Sequence, residues 1–167
     1  MQDTEQTALS LLEAAPKILR EILAGLPNSI LTADLDRGWS PHRILAHEVD
    51  VEPIFAERLR RIVDEDHPTI TSVDPMATLT ASGLESRPTI ELLDRFADLR
   101  SETLSWLRTL TAADAQRTAV HDTIGEFTVA NLIHYWPTHD FAHINGIRRM
   151  LMAVLRHEAG PCENLDI

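Results

Sequence analysis

The sequence predicts an all-α protein that folds as a four-helix bundle, with a long connection between the second and third helices. Four segments carry apolar residues at every third or fourth position, which is the spacing of a buried helix face. Alternation of apolar and polar residues never extends beyond a few positions, so we expect no sheet of more than two short strands. Residues 65–87 are rich in Pro, Thr, Ser and Asp, and a connection of this length indicates a crossover or a functional flap rather than a simple hairpin.

The first two helices are predicted over residues 5–26 and 41–64. The apolar stripe of the first helix ends near Gly25, and glycine commonly follows a helix. Ser40 stands before the second helix, where its hydroxyl can accept a hydrogen bond from a free backbone N–H. Pro41 takes the first helical position, where its missing N–H does no harm.

The last two helices are predicted over residues 88–110 and 128–157. Pro88 lies at the start of the third helix, a position that suits its fixed backbone angle. Thr128 is the expected N-cap of the fourth helix. Gly160, followed by a proline, stops the chain soon after that helix.

The composition fits one domain covering residues 1–167, with 44% hydrophobic and 25% charged residues. No run of 18 apolar residues occurs, so we expect no membrane span. The N-terminus is acidic and polar, unlike a signal peptide. Cys162 is the one cysteine, so no internal disulfide can form and a cytoplasmic location is expected.

The charge of the chain argues against nucleic acid as a partner. The formal net charge is −11, whereas proteins that bind the phosphate backbone usually present a basic patch. The basic residues do cluster at two places on predicted helices, and we interpret both clusters as solvated faces paired with local acids. They are Arg58, Arg60 and Arg61, and Arg148 and Arg149.

Three histidines occupy positions that belong to apolar helix faces. His139 and His143 are spaced i, i+4, so they share one face of the fourth helix, and His47 lies on the apolar stripe of the second. Imidazoles at core positions are costly unless their nitrogens are satisfied. Three of them from two helices fit a metal site with an open coordination position, and imidazole suits zinc or nickel. The alternative is a set of histidines hydrogen-bonded within the bundle core.

The remaining histidines are predicted to be less important for a site. His134 lies five residues before His139 and shares its face poorly, while His42, His67, His121 and His157 are expected at the surface. Trp39, Trp106 and Trp136 are expected to pack in the core or at the end of the bundle, with the alternative that Trp136, one turn from His139, lines a pocket. Acidic residues that could hold the second nitrogen of a ligand are nearby in sequence. These acids are Glu48, Asp50 and Asp140.

The order of the motifs resembles the DinB-like (damage-inducible, YfiT-related) metalloenzyme superfamily over nearly the whole chain. The resemblance rests on Trp39-Ser40-Pro41, on His47 with Asp50 and Glu52, on Asp66-His67-Pro68, on Gly125 to Thr128, and on His139-Asp140 through His143. It implies a four-helix bundle with a divalent metal held by His47, His139 and His143.

Two positions depart from the pattern of this superfamily. Gly146 stands where many relatives have glutamine, and Tyr135 stands where many have a histidine. His134 is shifted by one residue from that histidine position, so a local helix bulge is expected near Pro137.

Relatives with known activities include thiol S-transferases and isomerases that use low-molecular-weight bacterial thiols. The leading hypothesis is therefore a metal-dependent enzyme of the thiol S-transferase or hydrolase type, acting on a small molecule, in which the metal activates a thiolate or a water. The alternative is a metal-binding or oligomeric four-helix module without catalysis. A general base beside the metal, with Glu48 and Asp140 as candidates, would separate the two.

A homodimer is also expected, because related chains often pair through bundle faces. The fourth helix carries apolar residues on more than one side, which would provide such a face. These residues are Ile133, Phe141, Ile144 and Leu151.

Overall fold

The computed structural model describes residues 3–164 and has four long helices, as the sequence predicted. The first ends three residues earlier than predicted, because the backbone turns where Leu26 N–H donates to the carbonyl of Leu23. In chain order the helices are α1 (Asp3–Leu23), α2 (Asn28–Leu31), α3 (Pro41–Asp64), α4 (Pro75–Ser82), α5 (Thr89–Leu107), α6 (Ala112–Ala115) and α7 (Val129–Ala159).

The predicted N-caps of the second and fourth long helices are both present. The hydroxyl of Ser40 accepts from the N–H of Arg43 at 3.1 Å, with Pro41 at the first helical position. Thr128 forms a capping box with Asn131, in which each side chain accepts from the other residue's backbone N–H. These caps satisfy free N–H groups at the helices that carry the three histidines.

A small sheet corrects the expectation of at most two strands. The strands are β1 (Thr69–Ile70), β2 (Thr118–His121) and β3 (Gly125–Thr128). β1 pairs in parallel with β2, and β2 pairs antiparallel with β3 in a hairpin. Strands of two to four residues are too short to give a recognisable alternation. The sheet ties the connection after α3 to the connection before α7.

The long helices form a ring in which α1 and α3 each pack against both α5 and α7. The core has two clusters of buried apolar residues. The first core cluster joins the N-terminal halves of α1 and α7 to the C-terminal halves of α3 and α5, and the second joins the opposite halves. Thus α1 and α7 run in one direction and α3 and α5 in the other. Because α3 and α5 are parallel neighbours, the chain needs the long crossover at residues 65–87.

Between the two clusters lies a buried polar layer, which we define as Glu48, Glu52, Arg100 and Asp140. On α5, Phe96 belongs to the second core cluster and Leu104 to the first, with Arg100 between them. On α7, Asp140 falls in the same way between Trp136 and Ile144. All four polar residues are about 1% exposed.

The apolar residues that suggested a second buried face on the fourth helix pack within the chain itself. Ile133 and Ile144 belong to the core clusters, and Phe141 and Leu151 pack against the second cluster. That observation therefore no longer supports a homodimer. Within residues 3–164, the helices lack a stretch both long and apolar enough to span a bilayer.

Candidate metal centre

The structure brings His47, His139 and His143 together at the level of the polar layer. Their ring centroids are 5.6 Å apart for His47 and His139, 4.9 Å for His47 and His143, and 4.6 Å for His139 and His143. One ring nitrogen from each histidine lies within 4.8 Å of the others. Helix periodicity puts the two α7 histidines one turn apart, and the packing of α3 on α7 adds His47.

The environment of His47 and His143 favours neutral imidazoles. Burial, followed by the nearby His139, lowers the pKa of His47 to about 4, and the pKa of His143 is lowered to about 4 for the same reasons. A neutral imidazole can give a lone pair to a metal ion. The buried Nδ1 atoms of His47 and His139 find no hydrogen-bond partner within the described part of the chain.

Arg100 holds the polar layer together from the opposite side of the bundle. Its guanidinium donates to both oxygens of Glu52, at 2.7–3.1 Å, and its Nη1 donates to Asp140 Oδ2 at 2.6 Å. The same Nη1 donates to the carbonyl of Leu12 on α1 at 2.9 Å. One side chain therefore links all four long helices, and such charge-assisted bonds are the strong ones.

Glu48 is the carboxyl group nearest to the histidines. Its Oε1 is 3.7 Å from Nδ1 of His139 and 3.9 Å from Nε2 of His143. Burial, followed by the charge of Asp140, raises the pKa of Glu48 well above its usual range. For Asp140, burial alone would raise the pKa, but His139 and Arg100 together lower it. The layer thus places three carboxyl groups and one guanidinium directly under the imidazoles.

The three histidines open on their other side into a cavity of about 430 Å³, called here the inner cavity. Trp39, Val51 and Phe55 line it beside the histidines. Ser72, Val73 and Pro75 of the crossover form part of the wall. Trp136 packs in the core as expected, since it is completely buried and stacks on Phe55 at 4.9 Å between ring centroids. Trp39, also expected to pack, lines the cavity instead, with its ring centroid 5.9 Å from that of His47.

Several residues near the site lie elsewhere than the sequence suggested. His42, expected at the surface, is buried and connects α3 to the start of α5 through Thr89 Oγ1 at 2.9 Å. His121 and Arg58, also expected to be solvated, line the inner cavity. Glu48 and Asp140 lie beneath the histidines, and neither lines the cavity.

The comparison with protein families now decides the family. The profile of the DinB superfamily matches residues 11–147, which include all three histidines of the centre and the whole polar layer. The chain belongs to the DinB superfamily. The resemblance inferred from the sequence is thereby confirmed.

A solved structure of a DinB-like protein has the same fold. It is YfiT from Bacillus subtilis, described as a probable metal-dependent hydrolase with an unusual four-helix bundle topology. The TM-score is 0.85 at 21% sequence identity, over 92% of this chain and 89% of that one. At this identity the likeness establishes the fold, including the four-helix bundle predicted from the sequence. The comparison with curated proteins found no match.

The two departures from the DinB pattern leave α7 intact. The helix is regular from Val129 to Ala159, so the bulge expected near Pro137 is not present. His134, the displaced histidine, lies outside the group of three and its buried Nε2 has no hydrogen-bond partner in the described region. At Gly146, an added Cβ would make ordinary contact with Ile44 at 3.7 Å.

Proposed function

We propose that this protein is a divalent-metal-dependent enzyme acting on a small molecule, with the ion held by His47, His139 and His143. The observation that carries the proposal is the convergence of three imidazoles from two helices at the floor of a cavity. Three nitrogen ligands leave coordination positions open for a substrate or water. Zinc or nickel suits this donor set.

The residues present fit such an ion in two respects. The buried Nδ1 of His47 has no partner among the described residues, and an unsatisfied buried polar atom is costly. Beneath the imidazoles, Glu52 and Asp140 share the single guanidinium of Arg100. A divalent cation on the other side of the imidazoles would offset the remaining negative charge.

When bound, an ion of this kind lowers the pKa of a coordinated water or thiol. The chain's own residues would orient the ligands and shape the site. Glu48 faces the inner ring nitrogen of His139, where a carboxyl group can fix the tautomer of a metal ligand. Trp39 and Phe55 provide apolar walls that restrict water near the histidines.

Two reaction types remain candidates, and each has its own support. The likeness to YfiT, described as a probable metal-dependent hydrolase, supports activation of water. The inner cavity supports a thiol S-transferase, because the described residues that line it include no carboxyl group to act as a base. A metal-bound thiol depends on such a base less than a metal-bound water does, because a free thiol is already far more acidic than water. Two assays compare the reaction types directly. One measures hydrolysis of an aryl ester, and the other measures transfer of a simple thiol to an aryl halide.

Metal content tests the proposal at its foundation. We expect one divalent ion per chain in the wild type by elemental analysis, and much less in His47→Ala and His143→Ala. Excess zinc should raise the melting temperature of the wild type, by an amount equivalent to about 2.7 kcal/mol at a hundredfold excess over Kd. The two variants should lose most of that increase.

His134→Ala is the matched control, because it removes a partly buried histidine of α7 that lies outside the group of three. It should keep both the ion and the zinc effect. Equal metal content in all four proteins would show that these histidines are not ligands. Metal binding without turnover of either probe would favour the non-catalytic module.

A cytoplasmic homodimer remains a proposal as well. It rests on the single cysteine and on the resemblance to chains that often pair. Light scattering at tens of micromolar protein should give twice the mass of the 18.7 kDa chain. The mass of one chain would rule the dimer out.

A further inference from the structure

A second cavity adjoins the inner cavity on the side away from the histidines. This outer cavity is also about 430 Å³, and Phe127, Leu132 and Tyr135 line it. The two cavities share three wall residues, Phe55, Arg58 and His121. A molecule that extends from the histidines into the outer cavity must therefore pass Arg58 and His121.

Apart from the three histidines of the centre, Arg58 and His121 are the basic side chains of this double cavity. Arg58 lies on α3 and is partly buried, and its one hydrogen bond to the described residues runs from Nη2 to the carbonyl of Thr71 at 3.0 Å. That bond fixes the guanidinium on the strap formed by residues 71–75 and leaves Nη1 and Nε as donors. Arginine presents such donors in a planar fork that matches a carboxylate.

Glu57 and Asp122 both act on the charge of Arg58, and Asp122, which also approaches His121, is largely engaged elsewhere. Both oxygens of Asp122 accept from Ser72, one from its hydroxyl at 2.6 Å and one from its backbone N–H at 2.9 Å. Asp122 also approaches Nδ1 of His121 at 3.1 Å. Asp122 thus fastens the strap to the hairpin, while Thr123, whose backbone N–H donates to Nδ1 of His121 at 3.3 Å, orients the ring. No carboxyl group of the described residues lines either cavity.

The outer cavity is suited to an apolar group. Ile124 and Tyr135 line it and are 72% and 53% exposed, although both are large hydrophobic side chains. Val73 of the strap, which is 42% exposed, lines the inner cavity. Exposed apolar side chains gathered around an opening are typical of a ligand-binding surface.

From this arrangement we propose that the substrate is an elongated anion, with a carboxylate bound by Arg58 beside His121 and an apolar portion in the outer cavity. The reactive end of this molecule reaches the three histidines. Arg58 is then the residue that determines specificity, and His121 a second donor to the same group. This inference rests on the proposed function, since it takes the histidines as the metal ligands.

The test uses cobalt(II)-loaded protein and pairs of ω-sulfanyl probes, each pair a carboxylate and its carboxamide with the same alkyl chain. Binding is followed by the sulfur-to-cobalt absorption band. For at least one chain length, we expect the carboxylate to bind the wild type roughly tenfold or more tightly than its carboxamide, because a hydrogen bond to a charged group is worth more than a neutral one. Arg58→Gln should abolish this preference, and His121→Asn should reduce it.

Arg60→Gln is the matched control, since Arg60 lies on the same helix but contacts Trp106 instead of the cavity. It should retain the preference. Equal binding of carboxylate and carboxamide by the wild type at every chain length would overturn the inference and leave the metal site standing. That comparison needs no variant, so it holds even if Arg58→Gln fails to fold. Failure of cobalt to bind the wild type at all would overturn the proposed function and this inference together.

Discussion

The two apolar core clusters and the polar layer between them are equally buried, but they are stabilised in opposite ways. The clusters contain residues such as Leu45 and Leu104, whose burial removes apolar surface from water. The layer instead buries ionisable groups that are stable only through one another, with Arg100 in contact with Glu52 and Asp140. The three histidines lie against the layer, so the costly part of the core is also the part next to the candidate centre.

This difference indicates what each region contributes. The apolar clusters could stabilise a bundle of this size without any help from buried charges. Replacing buried ion pairs by apolar residues is often neutral or stabilising. The polar layer is therefore better explained by the site that it supports. Several substitutions break or sharpen this comparison, beginning with the largest expected effect.

Arg100→Met should destabilise the fold most, by about 3–5 kcal/mol, because it leaves Glu52 and Asp140 buried without their cation. Leu45→Ala in the second core cluster should cost about 2–5 kcal/mol through lost apolar contact and a cavity. Urea unfolding at pH 7 measures both.

The pH dependence separates the two variants. Burial already raises the pKa of Glu52, and loss of the guanidinium, which lowers the pKa of both Glu52 and Asp140, raises the folded-state pKa of both carboxyl groups further. The penalty is therefore present at high pH and is relieved as pH falls through the folded-state pKa. The loss of unfolding free energy caused by Arg100→Met should decrease from pH 7 to pH 5, while the loss caused by Leu45→Ala should stay constant. If the loss of unfolding free energy were independent of pH in both variants, the polar layer would not be stabilised by its charges.

The second prediction concerns the metal-free protein in acid. His47 has a pKa of about 4 in the fold, against an ordinary value near 6.5. The unfolded chain therefore binds the proton first, and folding stability is lost as pH falls from about 6.5 to about 4, by up to about 1.4 kcal/mol per pH unit from this residue.

His47→Asn should flatten the dependence of the unfolding free energy on pH by that amount when chelator is present. His157→Asn, at an exposed position of α7, is the control and should keep the slope of the wild type. An unchanged slope in His47→Asn would mean that His47 is as accessible to protons in the fold as in the unfolded chain.

Glu48→Gln should weaken zinc binding by roughly 10–100-fold, which is the usual cost of losing a carboxyl group that supports a histidine ligand. Glu48 lies 3.7 Å from Nδ1 of His139, while Glu57, exposed on the same helix, provides the control variant Glu57→Gln. Competition with a coloured chelator measures the affinities. Equal affinities in the two variants would remove Glu48 from the support of the centre.

Gly146→Ala should have the smallest effect, a stabilisation of up to about 1 kcal/mol. Glycine inside a helix is entropically unfavourable, and the space around Gly146 accepts a methyl group, with Ile44 at 3.7 Å. Zinc affinity should stay unchanged. Thermal unfolding with chelator measures the gain, and a loss of stability would show that this position has no room for a side chain.

The four long helices were predictable because each carries an apolar stripe with helical periodicity. The three histidines were predictable because they stand on the stripes of α3 and α7. Residues of the polar layer occupy positions on the apolar stripes of the helices as well. Arg100 follows Phe96 by four positions and precedes Leu104 by four, and Glu52 lies three positions after Val49 and three before Phe55. A charged residue in register with an apolar stripe indicates a buried polar group, just as a histidine at such a position does.

The cavity walls were less accessible to such reasoning. Arg58 and His121 belong to a polar helix surface and a four-residue strand, and neither pattern indicates that they face one another. Their proximity depends on the parallel pairing of β1 with β2. Pairing between residues some fifty positions apart leaves no local trace in the sequence.

The small sheet has a consequence for how such a protein can diversify. The histidines are fixed on two helices, whereas much of the surrounding wall comes from the strap at residues 71–75 and the hairpin of β2 and β3. Loop segments accept substitutions and insertions more readily than packed helices do. Sequence change in the strap and the hairpin can therefore alter which molecules are accepted while the chemistry at the histidines is inherited unchanged.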